Sequence, residues 1–164
     1  MMKIAVVYKS KYGATKQYAE WIAKELDCSI FEYSDIKPEK RDYDLIIYGG
    51  SLFAGMISGV GLAKKCKNAI VFTVGLTDPN QKYLDEVIKN NSLGALQFFY
   101  FRGALDDSIL SFPHKLGMKI LRGMLGKKKE KTENEKVLLD SAGKPVSFMN
   151  KDSIKPLIDY VKSL

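Results

Sequence analysis

Where the first apolar run of the chain ends, the sequence reads "KSKYGAT", residues 9 to 15, and then turns helical. Ser10 and Thr15 carry hydroxyls, Gly13 allows a backbone turn that side chains resist, Lys11 lies in the loop, and no acidic residue does. The first amide groups of a helix have no partner inside it and carry partial positive charge. A loop of this kind just ahead of a helix is therefore a nest for a phosphate, with N–H groups offered by Tyr12, Gly13, Ala14 and Thr15 and hydroxyl donors added by Ser10 and Thr15. The alternative is a plain cap on the first helix, which uses the same residue types.

What is missing narrows the ligand. Neither GxxxxGK[ST] of a mononucleotide loop nor GxGxxG of a dinucleotide loop occurs. The acidic cluster of a phosphorylated receiver is absent too, since Lys9 follows the first strand and Gly49, Gly50 and Ser51 follow the third. "GGSLF" around Ser51 fails the GxSxG pattern of a hydrolase elbow at its last place. Cys28 and Cys66 lie far apart without CxxC spacing and read as reduced, buried thiols. His114, the sole histidine, reads as a solvated residue with proton relay as the alternative, and Asp106 and Asp107 as a solvated loop pair with substrate contact as theirs. No catalytic residue and no metal ligand set is assigned.

The elements that must hold such a loop follow from apolar periodicity. "KIAVVY" is a strand, "ATKQYAEWIAKEL" a helix with Tyr18, Ile22 and Leu26 on one face, "SIFEYS" a strand, and "YDLIIYGGS" a continuous apolar strand of the kind buried on both sides. A helix over 57–65 follows, then the strand "AIVFTVG", the helix "NQKYLDEVIKN" opened by Asp78 and Pro79, and the strand "ALQFFYFRGAL". "NKDSIKPLIDYVKSL" closes the chain as a helix that Asn150 or Asp152 caps. Strands alternating with helices predict an α/β fold, a doubly wound five-stranded parallel sheet with helices on both faces, because each parallel crossover needs a helix to return along. Ligands of such sheets bind beyond the carboxyl ends of the strands, which is where residues 10–15 lie.

The chain has 164 residues and 46% hydrophobic content, which suits one domain spanning 1–164. No run is long and unbroken enough to cross a bilayer and no signal-peptide pattern opens the sequence, so a cytoplasmic protein is expected. The net charge of +7 says that the surface attracts anions. No reading helix or stacking pair suggests nucleic acid. Residues 104–136 interrupt the alternation and read as an insertion after the fifth strand. Within it Phe112, Leu116, Ile120 and Met124, with Leu121 and Leu125 beside them, form an apolar stripe at helical spacing, while Lys115, Lys119, Arg122 and "GKKKEK" supply charge. Such a helix packs on the core, or lies at a membrane interface or against an acidic partner through 109–131.

"YKSKYGATKQYAEWIA" resembles the phosphate loop of flavodoxins, [ST]-x-[ST]-G-x-[ST], with Tyr12 in place of the middle hydroxyl. The resemblance implies strand order 2-1-3-4-5 and FMN as cofactor. It also implies two further cofactor-binding loops. "YGGSLFAGMISG" would lie along the flavin ring, with Gly49, Gly50 and Gly55 permitting close approach, Leu52, Phe53 and Met56 as candidates to cover its face, and Ser51 and Ala54 in the same loop. "TVGLTDP" would cover the other side, with Val74 in the same loop and Thr73, Gly75, Leu76 and Thr77 bonding the pyrimidine edge through main-chain groups. Gly49 to Leu52, Gly103 to Leu105 and the basic, apolar insertion are further similar to the flavodoxin-like menaquinone-dependent protoporphyrinogen dehydrogenases. That similarity implies an oxidoreductase with quinone as acceptor, peripheral to the inner face of the membrane. A soluble electron carrier between redox partner proteins, or a binding module without cofactor, are the alternatives; the oligomeric state is not implied.

Overall fold

The computed structural model describes residues 1–36 and 42–164. In chain order its elements are β1 (Ile4–Lys9), α1 (Ala14–Leu26), β2 (Ser29–Glu32), β3 (Leu45–Phe53), β4 (Met56–Ile57), α2 (Gly61–Lys64), β5 (Ala69–Gly75), α3 (Gln81–Asn90), β6 (Gln97–Arg102), β7 (Ala104–Leu105), α4 (Phe112–Gly126), α5 (Glu133–Asp140), β8 (Val146–Ser147) and α6 (Lys155–Lys162). Five strands pair in parallel in the order β2-β1-β3-β5-β6, and β4 folds back antiparallel on β3. The expected architecture is present, the fourth and fifth parallel strands being β5 and β6.

β1, β3 and β5 are apolar runs because both sheet faces are covered. On one face Val6, Ile47, Phe72 and Phe101 pack with Tyr18 and Ile22 of α1 and Leu157 and Val161 of α6. On the other Ala5, Val7, Ile46, Tyr48 and Val71 pack with Ala63 of α2 and Val87 of α3. Each fully buried large apolar side chain contributes about 1.5–3 kcal/mol. Two glycines inside β3 are packing requirements of these layers. A Cβ on Gly49 would lie 2.0 Å from the Phe72 ring, and one on Gly50 would lie 2.5 Å from the Ser58 carbonyl oxygen.

Several boundaries differ from the sequence reading. The strand expected over "SIFEYS" ends at Glu32, and Tyr33–Asp35 is a 3₁₀ turn. The helix expected over 57–65 is only α2, because Ile57 is held in β4 and Gly59 stands at φ 73°. The last parallel strand stops at Arg102; β7 leaves the sheet and pairs antiparallel with β8. α3 is capped by Asn80, whose side chain accepts from the Tyr83 N–H, and not by the Asp78–Pro79 pair before it. The closing helix starts as a 3₁₀ turn, Lys151–Ile154, on which Asn150 accepts the Asp152 N–H at 2.9 Å. Both cysteines are half-buried instead of buried, and burial followed by the neighbouring Asp27 charge pushes the Cys28 thiol up to about 11.

Candidate functional site

β1, β3 and β5 run side by side, so the loops that follow them open at one edge of the sheet. In the first loop Gly13 stands at φ 98°, in the left-handed region, and its N–H donates to Ser10 Oγ at 3.1 Å. That turn starts α1 with no side-chain cap, which leaves its leading amides available to an anion. The Thr15 and Ser51 hydroxyls lie 3.0 Å apart, and Ser51 Oγ donates to the Lys9 carbonyl at 3.4 Å. The ends of β1 and β3 are thereby joined by hydroxyls beside the open amides. Lys11 is exposed, and its ammonium lies 5.7 Å from the Tyr12 ring centroid.

The second loop is a tight hairpin. Phe53 faces Met56 across the two-residue turn Ala54–Gly55, with φ 49° and 76°. Both positive values identify the turn that matches strand twist, which favours glycine or asparagine at each place. Gly55 therefore serves the turn, and Gly49 and Gly50 the packing of the core. Asn91, 2% exposed, holds the hairpin: its Oδ1 accepts the Ile57 N–H at 2.8 Å, and its Nδ2 donates to the Gly55 carbonyl at 2.9 Å. Tyr48 donates to the Ser58 carbonyl at 2.6 Å, and its burial raises the phenol above its usual range. Leu52 is half-buried, while Phe53 and Met56 point outward, Phe53 being 58% exposed.

The third loop begins inside a strand. β5 continues through Gly75, so Thr73, Val74 and Gly75 are buried within the strand, and the Thr73 hydroxyl donates to the Gly50 carbonyl at 2.7 Å. Only Leu76 and Thr77 reach the mouth. Their carbonyls are held from β6, Thr77 by the Tyr100 hydroxyl at 2.8 Å and Leu76 by Arg102 at 3.2 Å.

The insertion supplies a fourth wall. The imidazole of His114 stacks on Phe53, with ring centroids 4.3 Å apart and 23° between planes. Its Nδ1 shares a hydrogen bond with the Tyr12 phenol, which also lies 3.2 Å from Ser111 Oγ and accepts the Ser111 N–H at 3.2 Å. Burial first, then the Lys11 charge, hold the imidazole below its ordinary pKa. Burial opposes ionisation of Tyr12, but its Ser111 bonds and Lys11 outweigh that and lower the phenol. His114 is thus not the solvated residue expected from sequence.

The rest of α4 inverts the usual arrangement. None of its residues is buried; Phe112 is 78% exposed and Met124 68%. Arg122 instead turns inward, bonding Asp107 at 2.6 Å, the Leu138 carbonyl at 3.0 Å and Ser141 Oγ at 3.0 Å. That ion pair holds the Asp107 carboxyl below the usual range, first through the Arg122 bond, against burial, and then through the Gly143 N–H. Asp107 is an internal tie of the insertion and Asp106 caps the turn after it, accepting the Ser108 N–H at 2.9 Å. Asn91, Tyr48, Tyr100 and Arg102 escaped the sequence reading because a lone polar residue at a helix end or in a strand carries no periodic signal.

Among the described residues no group of three or more His, Cys, Asp or Glu side chains could hold a metal ion, and no helix is long and apolar enough to cross a membrane. The family profile described as Flavodoxin domain matches residues 5–132. No curated protein matches the chain. Similar solved structures include a flavoprotein in complex with FMN from Lactobacillus acidophilus, 18% identical over 62% of this chain and 93% of that one, with a TM-score of 0.46. A flavodoxin from the domain Archaea is 19% identical over 86% and 96%, with a TM-score of 0.42. A Fusobacterium nucleatum flavodoxin bound to flavin mononucleotide is 15% identical over 62% and 71%, with a TM-score of 0.40.

Proposed function

Because the chain belongs to the flavodoxin domain family, its profile spanning residues 5–132, we propose that it is an FMN-binding redox protein whose cofactor lies across the ends of β1, β3 and β5. The observation that carries this reading is Gly13 at φ 98° opening an uncapped α1 beside the Ser10, Thr15 and Ser51 hydroxyls. That cradle fits a dianionic phosphate: it offers amides and alcohols, a positive helix end and no carboxylate. When bound, FMN supplies the electron-transfer chemistry. The chain's part is to hold the phosphate through Ser10, Lys11, Tyr12, Gly13, Ala14 and Thr15, and to flank the ring with Ser51, Leu52 and Phe53 on one side and Leu76 and Thr77 on the other. The test is titration of FMN fluorescence. Gly13→Ala forces a side chain into a left-handed conformation, and about tenfold weaker FMN binding is expected. Equal affinity in that variant, or no quenching by the parent protein, defeats the reading.

The finer reading is an oxidoreductase at a membrane surface with a quinone as acceptor, close to the protoporphyrinogen dehydrogenase group. Its support is the outward ridge Phe112, Leu116, Ile120 and Met124, continued by Ile109 and, beyond the His114 contact, by Phe53 and Met56 of the flavin loop, beside a run of lysines. Apolar residues rimmed by lysines suit an anionic bilayer, whereas a second copy would bring like charges together. A soluble electron carrier needs no such ridge. Replacing Lys127, Lys128 and Lys129 by Gln should weaken binding to phosphatidylserine vesicles roughly a hundredfold at low salt. Parent protein that ignores such vesicles favours the carrier.

A further inference from the structure

His114 and Phe53 are stacked in direct contact, with centroids 4.3 Å apart. Two aromatic layers need about 3.5 Å between them, so a third ring placed between these two would need roughly twice that, and none fits. Yet Phe53 is the exposed aromatic residue of the second loop, 58% exposed, at the mouth where the flat part of a phosphate-anchored ligand would lie. The imidazole is held there by more than the stack. The Tyr12 phenol bonds both His114 Nδ1 and Ser111, so the first turn of α4 is fastened to the phosphate loop and to the β3–β4 hairpin at once. No residue of α4 is buried in the core.

We propose that His114 is a placeholder ring: it occupies the Phe53 face that a flat aromatic ligand takes, so that ligand entry displaces the imidazole and releases the first turn of α4 from Tyr12. The inference rests on the FMN reading and adds that FMN and the seated insertion compete. A competitor that occupies the site most of the time lowers apparent affinity by the fraction of open molecules. Removing a stacked ring then tightens binding, here by roughly three- to tenfold for His114→Ala. Tyr12→Phe keeps the stack and loses the phenol bonds, and a smaller tightening is expected.

His114 is the only histidine, so untagged protein gives a single imidazole spin system in proton NMR. Without ligand its ring protons should be shifted by the Phe53 ring current, a shift absent in Phe53→Ala. Addition of FMN should move them to the position of a free imidazole, while fluorescence titration gives the affinities of the parent protein, His114→Ala and Tyr12→Phe. If FMN binds the parent and the imidazole signal stays, or if His114→Ala binds FMN equally or more weakly, the placeholder is overturned and the FMN reading stands. If FMN binds neither parent nor variant, both fall. FMN binding by the parent that frees the imidazole signal, together with tighter binding by His114→Ala, supports the placeholder.

Discussion

α1 and α4 are helices of 13 and 15 residues that read alike, each with an apolar stripe at spacing four and lysines beside it. α1 buries Thr15, Tyr18, Ala19, Ile22 and Ala23 against the sheet; α4 buries nothing and turns its stripe to solvent. The difference lies in what surface remains. α1 and α6 cover one face of the sheet and α2 and α3 the other, so an inserted helix finds no apolar layer left. Its inward groups are His114, held by Tyr12 and Phe53, and Arg122, whose ties to Asp107, Leu138 and Ser141 fix which side of α4 faces in. Periodicity reveals that a stripe exists; only the inventory of uncovered surface tells what meets it.

Matched substitutions put the greatest strain on that contrast. Ile22 is 0% exposed and Ile120 56%, on helices of the same pattern. Ile22→Ala should cost about 2–5 kcal/mol of unfolding free energy, the transfer loss plus a cavity, whereas Ile120→Ala should change it by less than about 0.5 kcal/mol. Urea unfolding of the two variants measures both. Similar losses would mean that the α4 stripe is packed after all.

The sheet was legible because burial on both faces leaves continuous apolar runs, as in "IAVV" and "AIVFTV", and because the loop after β1 carries residues whose chemistry is local: a glycine for a left-handed turn and hydroxyls next to amides. The reading over 57–65 failed where two glycines and a side chain from far along the chain decide the backbone. Asn91 fixes Ile57 in a strand from 34 positions away, and nothing near residue 57 announces it. β5 ends at Gly75 as its apolar run predicts, but nothing in that run shows that the Thr73 hydroxyl is given to the Gly50 carbonyl of the neighbouring strand. His114 is decided from as far away as Ile57 is: its partners, Tyr12 and Phe53, are 102 and 61 positions distant. Short-range chemistry was readable, and long-range side-chain pairing was not.

A smaller and more local effect is expected at the tie between α4 and α5. Arg122→Met leaves the Asp107 carboxylate without its cation and should cost about 1–3 kcal/mol, felt as faster amide exchange within 104–149 while β1, β3 and β5 keep their protection. The sign of the pH dependence follows from Asp107, whose folded pKa is depressed. Its contribution is fully present above the unfolded carboxyl pKa and is lost as pH falls through the folded one, so acid should loosen the insertion, and Arg122→Met should abolish that acid dependence. The Gly143 amide, which donates to Asp107 at 3.2 Å, is the natural NMR reporter. An acid transition that survives the substitution would place the controlling carboxyl elsewhere.

The smallest effect lies where the two regions touch. Ala54 stands at φ 49° in the hairpin that presents Phe53 to His114, a conformation in which Cβ crowds the following carbonyl oxygen. Glycine relieves that crowding but enlarges the conformational freedom lost on folding, so Ala54→Gly should gain only about 0.5 kcal/mol. Ala54→Asn, which tolerates the left-handed region with less added freedom, should gain about as much or slightly more. Differential scanning calorimetry gives the sign. Because the hairpin also carries Asn91 bonds at Ile57 and Gly55, its register should persist in both variants, leaving FMN affinity unchanged within about twofold. Destabilisation by both substitutions would show that the alanine methyl is packed and not strained, and that the hairpin tip belongs with the core instead of with the exposed ridge of α4.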